Sequence, residues 1–148
     1  MVCLGNICRS PMAEGVFRHA CENNAFPVEI DSCGTGGWHS GEAPDKRAQR
    51  CMQEKGLDIS HLRARQIHKS DLDIFQHILV MDKQNYLDVL SLCDTQEQKN
   101  KVKLVLDYHP EAEKSEVPDP YYGEMADFEE VYKMLETAAK VFIEKHKA

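Results

Sequence analysis

Cys3 and Arg9 stand at the two ends of a short loop in "CLGNICRSP" (residues 3–11), and a helix start follows at once. The N-terminus of a helix gathers unpaired backbone N–H groups and the positive end of the helix dipole. Gly5 allows a positive φ and Asn6 tolerates one better than most residues, so successive N–H groups can turn into one concave nest. Such a nest suits a tetrahedral oxyanion, and Arg9 adds a planar fork that takes two phosphate oxygens together. A thiol in that field ionises easily: thiolate pKa values at helix N-termini and beside cations fall to ~3.5–7.5. The Ser10 hydroxyl is placed to donate to the thiolate and steady it as a leaving group. The pattern therefore reads as a nucleophile inside an anion cradle, with Cys3 attacking phosphorus while Arg9 and the loop amides hold the equatorial oxygens.

These residues need elements to position them. Ser10 is expected to cap a helix and Pro11 to open it, with Met12, Ala13, Val16, Phe17, Ala20 and Cys21 on one apolar face as far as about Asn24. "VEIDSCG" (Val28 to Gly34) reads as a strand running into a glycine-rich loop. Pro44 opens a second helix that puts Ala48, Cys51 and Met52 inward and stops at Gly56. "HILVM" (His77 to Met81) and "VKLVL" (Val102 to Leu106) are continuous apolar runs, the mark of strands covered on both faces. A helix is expected over Lys83 to Leu92, an irregular stretch over Asp107 to Met125, and a last helix with Phe128, Val131, Tyr132, Leu135, Ala139, Phe142 and Ile143 on one face. Strands alternating with helices predict one α/β domain over residues 1–148: a four-stranded parallel sheet flanked by helices on both faces, with the loop between the first strand and the first helix. Ligands of such folds bind at the carboxyl ends of the strands.

"VCLGNICRSPMAE" resembles the phosphate-binding loop of the low-molecular-weight protein tyrosine phosphatases, and "VPDPYYG" (Val117 to Gly123) resembles their Asp-Pro-Tyr loop. "DSCGTGGWHSGEAPDKRA", "HLRARQI" and "VMDKQN" are similar to the family in the same order, so the resemblance spans essentially the whole chain. It implies a cysteinyl-phosphate mechanism with Cys3 as nucleophile, no cofactor and no metal. Its substrates would be phosphotyrosine proteins or small aryl phosphates, with inorganic phosphate as product. A phosphate ester also needs a general acid, because a bare phenolate leaves slowly. Asp119 lies between Pro118 and Pro120, whose rings stiffen the loop and aim one carboxyl group. Alone, that aspartate is equally readable as the cap of a turn. The resemblance implies that it protonates the leaving oxygen and then activates water.

Around this core, Tyr121 and Tyr122 read as an aromatic wall for a flat phenyl phosphate, aided by Trp38 and Leu4; packing onto the domain is the bland reading. The family implies further roles. The paired tyrosines can be phosphorylated. Cys8 reads either as a buried thiol that packs the loop or, in the role the family favours, as the trap of oxidised Cys3 in a disulfide that shields it from irreversible oxidation. Asn6, Ser32 and His61 would hold the loop by hydrogen bonds, and Asp82 would order the site. Ile7 stands where phosphoarginine-directed members tend to carry threonine.

Composition narrows the alternatives. A net charge of −7 and the lack of a basic run beyond "HLRARQIHK" argue against nucleic acid as a partner. No apolar run approaches the ~20 residues of a membrane span, and residues 1–11 lack a signal peptide's apolar stretch, so a cytoplasmic protein without a membrane partner is expected. None of the six cysteines has zinc spacing, and most sit in apolar patterns as free thiols. An arsenate reductase of this fold would need a further cysteine pair after the third strand, where only Cys93 stands. A phosphoarginine phosphatase is disfavoured by Ile7, and a non-catalytic phosphate-binding or redox-sensing module needs neither the thiol nor the acid. The first strand has only Met1 to Cys3 available, against ~5–6 residues in a typical strand. This start is expected to be an internal methionine, or else the form is destabilised and pairs weakly with a second copy.

Overall fold

Strand β1 (Val2–Cys3), which delivers Cys3, lies inside the sheet rather than at its edge. The protein is described from a computed structural model, covering residues 1–111 and 115–147. It is one α/β domain whose four parallel strands run in the order β2 (Cys33–Gly34), β1, β3 (Ile78–Val80), β4 (Val102–Leu104). Side chains alternate across a strand, and here the alternation divides the core in two. Cys3 and Leu79 pack with helices α1 (Arg9–Asn23), α2 (Lys46–Glu54) and α6 (Met125–His146). Val2, Ile78 and Val80 pack on the opposite face with Leu72 of α3 (Asp71–Ile74) and Val89 of α4 (Lys83–Leu90). The expected inward residues Ala48, Cys51 and Met52, and Phe128, Val131, Leu135, Ala139, Phe142 and Ile143, are all buried.

The strand expected over Val28–Gly34 pairs only at Cys33–Gly34. The register is Val2 to Cys33 and Cys3 to Gly34; Met1 adds a bond on either side of Ser32, its amino group donating to the Asp31 carbonyl at 2.9 Å and its carbonyl accepting from the Cys33 amide at 3.0 Å. Between residues 27–31 and 75–77 a cavity of ≈ 230 Å³ opens, lined by Met1, Ile30, Phe75, Leu79 and Phe142 among others. β4 is likewise shorter than expected and continues as a 3₁₀ turn over Val105–Tyr108.

Helix boundaries also move. α1 begins at Arg9, with Cys8 rather than Ser10 at the cap position. The Ser10 side chain is turned into the site, so Pro11 falls at the third helical position, where its missing N–H costs no intrahelical bond. α2 starts at Lys46, capped by Asp45, whose carboxylate accepts from the Arg47 amide. Gly56 follows this helix with φ +77°, the left-handed position its terminus requires. Helices α3 and α5 (Gln96–Asn100) fall where no helix was expected; both are too short to show a periodic face. Within the stretch expected to be irregular, residues 112–114 lie outside the described residues.

Candidate active site

The loop from Cys3 to Ser10 joins the carboxyl end of β1 to the start of α1. Asn6 takes the left-handed conformation, φ +57°, and Gly5 does not. Gly5 is small for another reason: a Cβ there would stand 3.1 Å from the His39 ring. Asn6 is buried, and both ends of its side-chain amide and its backbone N–H are used. Its Nδ2 donates to Ser10 Oγ at 2.7 Å and to Ser32 Oγ at 3.0 Å, its Oδ1 accepts from the Arg65 amide at 3.1 Å, and its own amide reaches Cys3 Sγ at 3.3 Å. These bonds hold a strained backbone in one shape.

Ser10 Oγ lies 3.0 Å from Cys3 Sγ and 3.3 Å from the Cys33 carbonyl oxygen. Two groups therefore converge on the sulfur: the Asn6 amide and the Ser10 hydroxyl. Cys8 is buried in the wall of the same cavity. Burial pushes its thiol well up, and the nearby Asp45 carboxylate pushes further, so Cys8 stays a neutral thiol.

Arg9 is only 4 % exposed, and a buried guanidinium demands partners. Its Nη1 donates to Asp82 Oδ2 at 2.7 Å and to the Val117 carbonyl at 3.1 Å, while Nη2 faces Asp119 Oδ2 at 3.8 Å. Asp82 does two things at once: it pairs with Arg9 and caps α4 by accepting from the Asn85 amide at 2.8 Å. Asp119 Oδ1 accepts from the Tyr121 amide at 3.1 Å, and its side chain remains 45 % exposed toward the cavity.

A cavity of ≈ 230 Å³ brings together Cys3, Leu4, Gly5, Ile7, Cys8, Arg9, Trp38, Asp119, Tyr121 and Tyr122. Trp38 and Tyr122 are 72 % and 94 % exposed, which places them on the rim rather than in the core. Tyr121 meets Tyr122 edge to face at 4.9 Å between ring centroids. His61 does not join this group. It is exposed, and Asn6 Oδ1 is met instead by the Arg65 amide.

Several contributors were missed in the sequence. His39 lines the cavity and pairs with Glu42 at 2.7 Å. Glu14, buried on α1, accepts from Ser32 Oγ at 2.7 Å and from Arg18 at 2.6 Å, so it anchors the Asn6–Ser32 chain. Its signal was readable: an acidic residue on the apolar face, one helical turn after Ser10. Arg65 grips Asp71 with both nitrogens, at 2.9 and 3.1 Å, and thereby fixes the backbone amide that Asn6 uses. Among the described residues, no group of three or more His, Cys, Asp or Glu side chains is placed to hold a metal ion, and no helix is long and apolar enough to cross a membrane.

The profile of the low molecular weight phosphotyrosine protein phosphatase family matches residues 1–148. The human low molecular weight phosphotyrosine protein phosphatase is 42 % identical over 147 residues, covering 97 % of this chain and 92 % of that protein. The low molecular weight protein-tyrosine-phosphatase YfkJ of Bacillus subtilis is 38 % identical, covering 94 % and 88 %. In three dimensions, a protein tyrosine phosphatase from Entamoeba histolytica, crystallised with Hepes in its active site, superposes with a TM-score of 0.93 at 36 % identity, covering 97 % of this chain and 92 % of that one.

Proposed function

The chain belongs to the low molecular weight phosphotyrosine protein phosphatases, an enzyme family, and from that premise we propose that it hydrolyses aryl phosphate monoesters, phosphotyrosine among them, through a phosphorylated Cys3. The observation that carries this reading is the convergence on one cavity of a sulfur with two hydrogen-bonding neighbours, a buried guanidinium and a single proline-flanked carboxyl group.

The phosphoryl group sits in the cradle of loop amides and the Arg9 fork, which hold its equatorial oxygens. Cys3 sulfur attacks phosphorus while Asp119 gives a proton to the departing phenolate oxygen. General acid help of this kind is worth ~10²–10⁴-fold. Asp119, now a carboxylate, takes a proton from water as the water attacks the cysteinyl phosphate. Inorganic phosphate leaves, and the sulfur departs with its charge met by Ser10 and the Asn6 amide. Asp82 holds Arg9 square to the cradle, and Ser32 holds Asn6. Ile7, Leu4, Trp38, Tyr121 and Tyr122 form an apolar and aromatic wall that suits a flat ring at the depth of a phenyl phosphate.

Hydrolysis of an aryl phosphate in the presence of a metal chelator, with the unaltered chain beside Cys3→Ser, tests the proposal. Turnover at mildly acidic pH that the substitution abolishes supports it. Turnover that survives Cys3→Ser, or that the chelator removes, refutes it.

A further inference from the structure

Asp119 can act only if its loop is held over the cradle, and the loop lies far along the chain from the cysteine. One end is fixed from the sheet side: the Val117 amide donates to the Met81 carbonyl at 2.8 Å, and the Val117 carbonyl accepts from Arg9. The other end is held by Arg47 at the start of α2. Its Nη2 donates to the Tyr121 carbonyl at 2.8 Å and its Nη1 to the Gly123 carbonyl at 3.1 Å, on either side of Tyr122. Its guanidinium lies 5.7 Å from the Tyr121 ring centroid and 4.8 Å from that of Phe128.

The same guanidinium is oriented by Asp45, whose Oδ1 accepts from Nε at 3.0 Å and whose Oδ2 accepts from Nη2 at 2.9 Å. The Asp45 amide, in turn, donates to the Ile7 carbonyl of the phosphate cradle at 2.8 Å. A continuous bridge thus runs from the cradle through Asp45 and Arg47 to the two carbonyls that follow Asp119. Only a rigid fork with several donors can do this, and an ammonium group cannot copy it. The nitrogens of Arg47 point to carbonyls and to Asp45, so the residue serves the loop and not the substrate's phosphate.

We propose that Arg47 is a positioning residue for the general acid, holding Asp119 at working distance from the leaving oxygen by clamping the Tyr121 and Gly123 carbonyls to the cradle. The inference rests on the reading of Asp119 as the acid.

The test is kcat/KM for a series of aryl phosphates whose leaving phenols range from strongly to weakly acidic, measured for the unaltered chain, Asp119→Asn, Arg47→Met and Arg47→Lys. A misplaced acid matters most where the leaving group is poor. Arg47→Met should therefore lower kcat/KM about tenfold or more for phenyl phosphate but only about twofold for p-nitrophenyl phosphate, a fraction of what removing a general acid costs. Arg47→Lys should show the same steepened dependence, because it keeps the charge and loses the fork. In the Asp119→Asn background, Arg47→Met should add little. A uniform loss across the series for both Arg47 variants, or full rescue by lysine, overturns the inference while leaving Asp119 as the acid. If Asp119→Asn itself fails to steepen the series, the reading of the acid falls and this inference falls with it.

Discussion

Arg9 Nη1 and Asp82 Oδ2 are 2.7 Å apart, and this contact joins the phosphate cradle to the turn between the carboxyl end of β3 and α4. Asp82 also caps α4, so Asp82→Asn can keep the cap while giving up the charge. Loss of the carboxylate leaves Arg9 charged for any anion but loosens its geometry. Competitive inhibition by inorganic phosphate should therefore change by less than about threefold, while kcat falls about tenfold, because alignment is demanded most by the transition state. Steady-state kinetics with inorganic phosphate as inhibitor separates the two effects. A weakened phosphate inhibition with kcat unchanged would show that Asp82 serves binding alone.

Ser10 Oγ, 3.0 Å from Cys3 Sγ, should matter most when the sulfur departs. Ser10→Ala is expected to slow breakdown of the cysteinyl phosphate about tenfold, the worth of one hydrogen bond to a charged group. Rapid-mixing experiments should then show a burst of phenol release followed by a slower steady state. A lowered burst rate with unchanged turnover would place the hydroxyl in the first step instead.

The Arg65–Asp71 pair predicts how the fold responds to acid. Burial alone would raise the Asp71 carboxyl, but the hydrogen bonds from Arg65 and the His68 amide outweigh it and hold the carboxyl below its ordinary 3.8. As pH falls, the unfolded chain binds this proton first, so the pair's stabilisation is complete above 3.8 and is lost as pH drops through the lower folded value. Asp71→Asn should cost about 2 kcal/mol at neutral pH. The gap between the two proteins in urea denaturation should narrow below pH 3.8 and close once Asp71 is protonated. A gap that stays constant with pH would point to packing instead.

The proposed anion cradle was legible because its parts are local: Cys3, Arg9 and Ser10 share one loop and helix start, so residue type and spacing suggest their chemistry. Asp119, between its two prolines, reads as an acid only through the family resemblance. Ser32 and Asp82 were legible only through resemblance, and His61 shows the limit of that route: it was expected to help hold the loop and stands exposed. Gly5 and Asn6 could each take a positive φ by residue type, and only the fold tells that Asn6 is the one that does. The segment over Val28–Ile30 had strand character but pairs with no neighbouring strand, and a strand exists only where another chain segment accepts its hydrogen bonds.

What the amino-acid order determined by itself was a cysteine and an arginine spaced as an anion cradle at a helix start, the α/β alternation and the apolar faces of the long helices, because each is written within a few helical turns. What only the tertiary structure decided was which distant groups complete them. Arg47 meets carbonyls 74 and 76 positions away, and Arg9 meets Asp82 across 73. Backbone carbonyls are common to every residue and leave no trace in composition. A clamp made of them can be seen only once the chain has folded and the loops lie side by side.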